Sequence, residues 1–225
     1  LFSDQPPKTD AINNHIEIRD PEYDFIDKIS RLKDTPYDRT LYLDSDVYVN
    51  EPIPEIFKIL DRFEMAAALD AHQQPTIDND SHKAPDIYDG RFDPTPEYNT
   101  GVLAYRMTDS VKHCFDVWES AYDSENHWAG QPSFIPGLYK SDVRICTLPR
   151  RYNYIVGLRN VVSGQVKVFH SRLANGPKPG WKDIHPRLLP ELIQRVNATS
   201  TARVTYSKYG EVRTPDDLVI RPPLS

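Results

Sequence analysis

Three features of this sequence predict an α/β fold, a mixed central sheet flanked by helices. Short apolar runs rich in Val, Leu and Tyr alternate with segments whose apolar residues recur at helical spacing, the pattern of layered α/β proteins. One such run, Leu41-Tyr42-Leu43-Asp44-Ser45-Asp46-Val47-Tyr48-Val49, is interrupted by two carboxylates one residue apart. A strand ending near Leu43 leaves both just beyond its carboxyl end, where open α/β sheets bind ligands. Finally, the polar, Pro- and Asp-rich stretch 71–97 has no periodicity and reads as a lid or a binding loop.

The elements follow in order. Leu1-Phe2-Ser3-Asp4 reads as the tail of a strand, so an upstream strand and helix are expected outside this numbering. Ile16-Glu17-Ile18 is a short strand. Asp20-Pro21 is an N-cap and first helical position, followed by Phe25, Ile26, Ile29 and Leu32 at helical spacing. Residues 40–43 form the strand that delivers Asp44 and Asp46. A helix over 50–60 turns Ile53, Ile56, Phe57 and Leu60 to one face, and 64–70 is a small-residue strand ending in Asp70. Strand 98–105 precedes the clearest helix, 109–122, whose stripe of Val111, Cys114, Phe115, Trp118, Ala121 and Tyr122 is core. A short Pro-interrupted helix spans 131–138, strands 143–148 and 165–169 alternate, and 188–196 is helical before a Pro-rich end. With no internal repeat or composition break, 1–225 is expected to form one domain, N-terminally incomplete.

Composition narrows the function. Thirteen tyrosines, eight phenylalanines and three tryptophans supply a core, and twenty prolines against nine glycines suggest ordered turns. A net charge of −6 argues against a basic nucleic-acid surface, but not against an anionic small substrate handled by a metal ion and local cations. Cys114 and Cys146 make no disulfide framework or cysteine-rich zinc site. No apolar run reaches membrane-span length and no signal peptide is visible, so a cytoplasmic location is expected. Asn197-Ala198-Thr199 matches a glycosylation sequon of the kind that often occurs by chance.

Charge inside an apolar run is costly, and a bound divalent cation removes that cost because carboxylate oxygens are its preferred ligands. The plainer reading is a strand end whose carboxylates cap a turn. Four further pieces bear on the choice: Asn99-Thr100-Gly101-Val102; Gly130-Gln131; Leu148-Pro149 with Tyr152-Asn153; and His170 followed by Gly176-Pro177-Lys178-Pro179-Gly180-Trp181. In this order, over roughly residues 24 to 181, they resemble the GT-A-fold nucleotide-sugar glycosyltransferases, most closely glycosyltransferase family 8. The resemblance implies the Rossmann-like GT-A fold without its first β-α unit, and transfer of a sugar from a nucleotide-sugar donor with retention.

 The donor so implied is a UDP-sugar; the acceptor, whether glycan, lipid or protein, is not readable from these residues.

The chemistry assigns roles. A nucleoside diphosphate-sugar carries two negative phosphates, and its leaving diphosphate gains charge that a divalent ion can neutralise as a Lewis acid. Asp46 is the strongest candidate ligand, Asp44 binds the same ion or the ribose, and the resemblance adds His170. Oxygen donors with one imidazole suit Mn²⁺, with Mg²⁺ as the alternative. Lys178, in a rigid Pro-flanked loop, is placed to hold the β-phosphate, with Gly176 permitting close approach and Trp181 either walling the pocket or packing in the core. By resemblance Asn99 contacts the donor sugar, though it equally suits the turn into Gly101. Gln131 is the stabiliser or nucleophile candidate, and Asp70 contacts sugar hydroxyls or caps the following loop. Lys28 and Arg31 are within reach of the diphosphate but are expected on a solvated helix face, and Arg150-Arg151, which could touch an acidic acceptor, are expected as a solvated pair.

The chain departs from the family in three places. Gly130 stands where an acidic residue is expected before Gln131, the His170 to Gly176 spacing is long, and Gly180 is inserted before Trp181. Two other functions compete. A haloacid-dehalogenase-type phosphatase also places Asp-x-Asp after an apolar strand, but needs a further acidic pair, for which only Asp216-Asp217 offers, and leaves His170 to Trp181 unexplained. A non-catalytic sugar-nucleotide or glycan-binding module would explain Gly130 and the unrecognised first strand.

Overall fold

The computed structural model describes residues 1–70, 96–122, 130–173, 183–184, 186–206 and 211–213. In chain order, β1 (Phe2–Ser3) and β2 (Ile16–Glu17) precede α1 (Phe25–Arg31), β3 (Arg39–Leu43), β4 (Val47–Val49), α2 (Glu55–Ile59) and β5 (Met65–Leu69). Then come β6 (Tyr98–Arg106), α3 (Asp109–Ala121), α4 (Gln131–Lys140), β7 (Ile145–Leu148), β8 (Tyr154–Ile155), β9 (Arg159–Val162) and β10 (Val168–His170). β11 (Arg172–Leu173), β12 (Asp183–Ile184), α5 (Leu189–Val196), β13 (Arg203–Tyr206) and β14 (Glu211–Arg213) complete the described elements.

The central sheet has the order β3-β6-β5-β7, with β6 antiparallel to both neighbours and β5 parallel to β7. Buried from Tyr98 to Tyr105, β6 is its spine. Its alternate side chains serve two cores, as a period of two requires. Leu103 and Tyr105 pack with Ile29 of α1, Phe115 and Trp118 of α3 and Phe134 of α4, while Val102 and Ala104 pack with Ile56 of α2, Leu60 and Val168. The expected mixed α/β arrangement is therefore observed. A second sheet, β4-β10-β8, lies on the α2 side, and β14-β13-β9 form a third.

Local departures from expectation have local causes. The first helix starts at Phe25, not beside Asp20. The Asp24 carboxylate accepts the Phe25 N–H, Asp27 accepts those of Glu22 and Tyr23, and Asp20 and Tyr23 take positive φ values of 54° and 56°. The second helix begins at Glu55 because Pro52 and Pro54 disfavour helical backbone at the residues before them, Glu51 and Ile53. The third, capped by Thr108, carries its stripe as expected, with Val111, Cys114, Phe115 and Trp118 buried. The fourth runs on to Lys140 through Pro136. The apolar run 41–49 divides between two sheets, since β3 pairs with β6 and β4 with β10.

Candidate functional site

That division builds the site. Where β3 ends, the Asp44 N–H donates to the Gly101 carbonyl at 2.9 Å and the Val47 N–H to the Asp44 carbonyl at 3.1 Å, closing a turn that presents both carboxylates. β4 then pairs antiparallel with β10, Val47 opposite His170, and the Ser171 N–H donates to the Asp46 carbonyl at 2.9 Å. The ladder brings the imidazole to the turn. His170 Nε2 lies 3.2 Å from Asp46 Oδ1 and 3.9 Å from Asp44 Oδ2. One ligand atom from each of the three residues lies within 4.8 Å of the others.

This donor set fits a small divalent ion. Six-coordinate ligands at about 2.1 Å from an ion sit about 3 Å apart when adjacent and about 4 Å when opposite. Two carboxylate oxygens and one imidazole suit Mn²⁺ or Mg²⁺ better than a thiophilic metal.

The other oxygen of Asp44 is committed inside the protein. Asp44 Oδ1 accepts from Lys28 Nζ and from the Tyr42 hydroxyl, both at 2.8 Å, and Lys28 Nζ also donates to the Thr100 carbonyl at 2.9 Å and its hydroxyl at 3.1 Å. The Lys28 side chain is only 11% exposed, which corrects the expectation of a solvated face. Burial pushes the Lys28 ammonium below its ordinary pKa, against the opposing pull of Asp44 and Asp46. Burial raises the Asp46 carboxyl, but the hydrogen bond and charge of His170, joined by Lys28, outweigh it and leave the pKa below the ordinary value. Burial and Asp44 hold the Tyr42 hydroxyl protonated well above its usual range.

A second cluster adjoins the first. Asp70 Oδ2 accepts from Asn99 Nδ2 at 3.2 Å and from Gln131 Nε2 at 3.1 Å. Asn99 Oδ1 accepts from the Gly101 N–H at 3.1 Å and from Asn153 Nδ2 at 2.8 Å, and Asn153 Oδ1 lies 3.0 Å from His170 Nδ1. Asp70, Asn99 and Gln131 are thus brought together and joined through Asn153 to His170 of the candidate metal cluster. A Cβ at Gly130 would meet Ile29 and Phe25 carbons at 3.5 Å, ordinary contact, so a side chain has room there but faces apolar carbon. Gly176, Lys178, Trp181 and the acidic pair Asp216-Asp217 lie outside the described residues.

Arg150 and Arg151 are not a solvated pair. Arg150 Nη2 donates to the Asp70 carbonyl at 2.9 Å, and the Arg151 guanidinium lies 5.0 Å over the Tyr152 ring. Sequence reasoning gave no role to Tyr42 or Asn153, and none to Lys28 beyond an approach to the diphosphate. Asn153 carried a signal, since it stands in one of the motifs quoted above, whereas Lys28 shows only helical spacing.

A cleft of about 970 Å³ opens beside β3 and reaches Lys28, Asp44, Ser45 and Asp46. Leu41, Leu43 and Phe25 contribute apolar walls. A mostly apolar cleft with a few convergent polar groups is the form small-molecule sites take. Among the described residues no helix is long and apolar enough to cross a membrane.

No family model matches this chain, and no curated protein does. Among solved structures it is similar to mouse xyloside xylosyltransferase 1 in its apo form, at 16% identity and a TM-score of 0.43, covering 69% of this chain and 65% of that one. It is also similar to an active-site Gln-to-Glu mutant of LgtC, at 19% identity and a TM-score of 0.44, covering 72% of this chain and 66% of that one. The chain therefore spans just under two thirds of the length of both of these structures. With TM-scores below 0.5, the functional reading rests on the geometry of Asp44, Asp46 and His170.

Proposed function

We propose that residues 1–225 form one glycosyltransferase domain of GT-A architecture that uses a divalent ion, Mn²⁺ foremost, and a UDP-sugar donor. One observation carries this reading: an imidazole distant in the chain converges on two carboxylates that themselves line a cleft of about 970 Å³, within the size range of small-molecule sites. Asp44 Oδ2, Asp46 Oδ1 and His170 Nε2 would hold the ion. When bound, it would neutralise the diphosphate as the glycosidic bond breaks.

The protein's own groups supply the rest. Lys28 and Tyr42 anchor Asp44 so that its second oxygen faces the ligand. Asp70, Asn99 and Gln131, joined by hydrogen bonds, would meet the sugar, with Gln131 nearest the role of stabiliser or nucleophile in a retaining transfer. Gly176, Lys178 and Trp181 remain assigned to the diphosphate and its pocket on resemblance alone. Buried neighbours that already occupy Asp44 Oδ1 suit an oriented ligand better than a phosphatase nucleophile.

The test is a panel of nucleotide-sugars incubated with the full chain and Mn²⁺, reading release of nucleoside diphosphate. Release that needs the metal and disappears in Asp46→Ala is expected. Binding without turnover would favour the non-catalytic module, and turnover of simple phosphate esters through an aspartyl-phosphate would favour the phosphatase.

A further inference from the structure

We infer that Asn153 is a positioning residue that fixes the tautomer of His170, placing the hydrogen on Nδ1 and aiming the Nε2 lone pair at Asp44 and Asp46, with Asn99 setting Asn153 in turn. The tautomer itself stands on hydrogen bonding alone; its consequence for metal affinity rests on the metal-site reading above.

The assignment starts from a group with no ambiguity. The Gly101 backbone N–H can only donate, so its partner on Asn99 at 3.1 Å is the amide oxygen. That same oxygen lies 2.8 Å from one terminal atom of Asn153, which must therefore be the NH₂ group. The other terminal atom of Asn153 is then its carbonyl oxygen, 3.0 Å from His170 Nδ1. A carbonyl only accepts, so Nδ1 carries the hydrogen. A neutral imidazole has one ring N–H, which leaves Nε2 as the lone pair facing Asp46 Oδ1 at 3.2 Å and Asp44 Oδ2 at 3.9 Å.

The far end of the chain of amides gives the same answer independently. Asn99 turns its other terminal atom to Asp70 Oδ2 at 3.2 Å, and an ionised carboxylate only accepts, so that atom is the NH₂. A donor at one end and an acceptor at the other thus polarise both amides in one direction. Asn153 is fully buried and Asn99 is 6% exposed, so water does not offer the ring an alternative partner through them. With a neutral ring, Nε2 and two carboxylates are three acceptors facing one another, an arrangement that a bound cation reconciles, as does a second ring proton donated from Nε2 to Asp46. Ligating histidines as a rule donate their other ring N–H to an oxygen, which holds the ring and raises its basicity.

The experiment is long-range ¹⁵N–¹H correlation on the metal-free full chain labelled at histidine, followed over a pH series to its alkaline plateau, with His170 assigned by His170→Gln. Wild type is expected to show the Nδ1–H form. Asn153→Leu, which removes the acceptor at similar size, is expected to give a mixture of tautomers, and Asn153→Asp, which keeps an acceptor for Nδ1–H, to restore that form. Calorimetric titration with Mn²⁺ is expected to weaken 10–100-fold in Asn153→Leu and to recover at least partly in Asn153→Asp. An Nε2–H form in wild type overturns the inference whether or not either variant folds, as does an unchanged tautomer in Asn153→Leu. An Nδ1–H wild type that binds no Mn²⁺ would instead sink the metal reading and leave the tautomer standing.

Discussion

At Gly101 the protein has no room for a side chain. A Cβ there would lie 2.2 Å from His170 Cε1 and 2.8 Å from Asp44 Oδ2, so two of the three candidate ligands close over this one residue. Gly101→Ala is therefore expected to displace the ring and lower Mn²⁺ affinity at least tenfold, by calorimetric titration, with the far-UV circular dichroism unchanged. Equal affinity would show that the ring and the carboxylate do not meet there. The same position marks what the sequence discloses at this scale. Asp44 and Asp46 stand out because paired charge in an apolar run demands a reason. His170 entered only through resemblance. Lys28 was unreadable because its environment is made by Asp44 and Thr100, 16 and 72 residues away in the chain. Helical spacing cannot report that.

Among the elements, α3 and α4 meet closely. A Cβ at Gly137 would lie 2.7 Å from the Cys114 carbonyl, a backbone atom that cannot yield without moving a helix, and 3.2 Å from Cys114 Sγ. Gly137→Ala is expected to destabilise the fold by about 1–3 kcal/mol in urea unfolding, outweighing the gain of about 1 kcal/mol that alanine brings to a helix interior. A variant as stable as wild type would mean that the helices part easily. The stripe of α3 was legible because helical period and burial coincide along it. The last residues of α4, Tyr139 and Lys140, were not, because both are exposed and add nothing to the apolar pattern that ends at Leu138. The division of residues 41–49 between two sheets was likewise hidden, since both halves are equally apolar and only the β10 partner separates them.

For the whole molecule, the carboxylates that join elements set the response to acid. Glu64 is 9% exposed and accepts from the Thr108 hydroxyl at 2.9 Å and the Arg144 N–H at 3.1 Å, linking the start of β5 to the cap of α3 and the approach to β7. Burial raises its pKa, but the Arg144 and Thr108 hydrogen bonds and the Arg144 charge outweigh this and leave it below the ordinary value. On the surface, the Lys167 hydrogen bond leads the causes that hold Glu55 at about 2. For both groups the folded pKa is depressed. Their stabilisation is present above the unfolded value of about 4.5 and is lost as pH falls through the folded one, because the unfolded chain takes up protons first. The urea midpoint is expected to drop between pH 6 and pH 3, and to drop less in Glu64→Gln; an equal drop would remove Glu64 from the account.

Metal binding adds a separable term at this scale. An ion held only by the folded chain stabilises it by about 2.7 kcal/mol at a hundredfold excess over Kd, and acid abolishes the effect because the ligands must be deprotonated to bind. Mn²⁺ should therefore raise the wild-type midpoint at pH 7 and leave it unmoved at pH 3. In Asp46→Ala the metal-dependent shift should vanish while the acid limb set by Glu64 persists, since Glu64 bonds Thr108 and Arg144 rather than any group of the site. A Mn²⁺ shift that survives Asp46→Ala would place the ion elsewhere on the protein and separate the stability of the fold from the cluster at the end of β3.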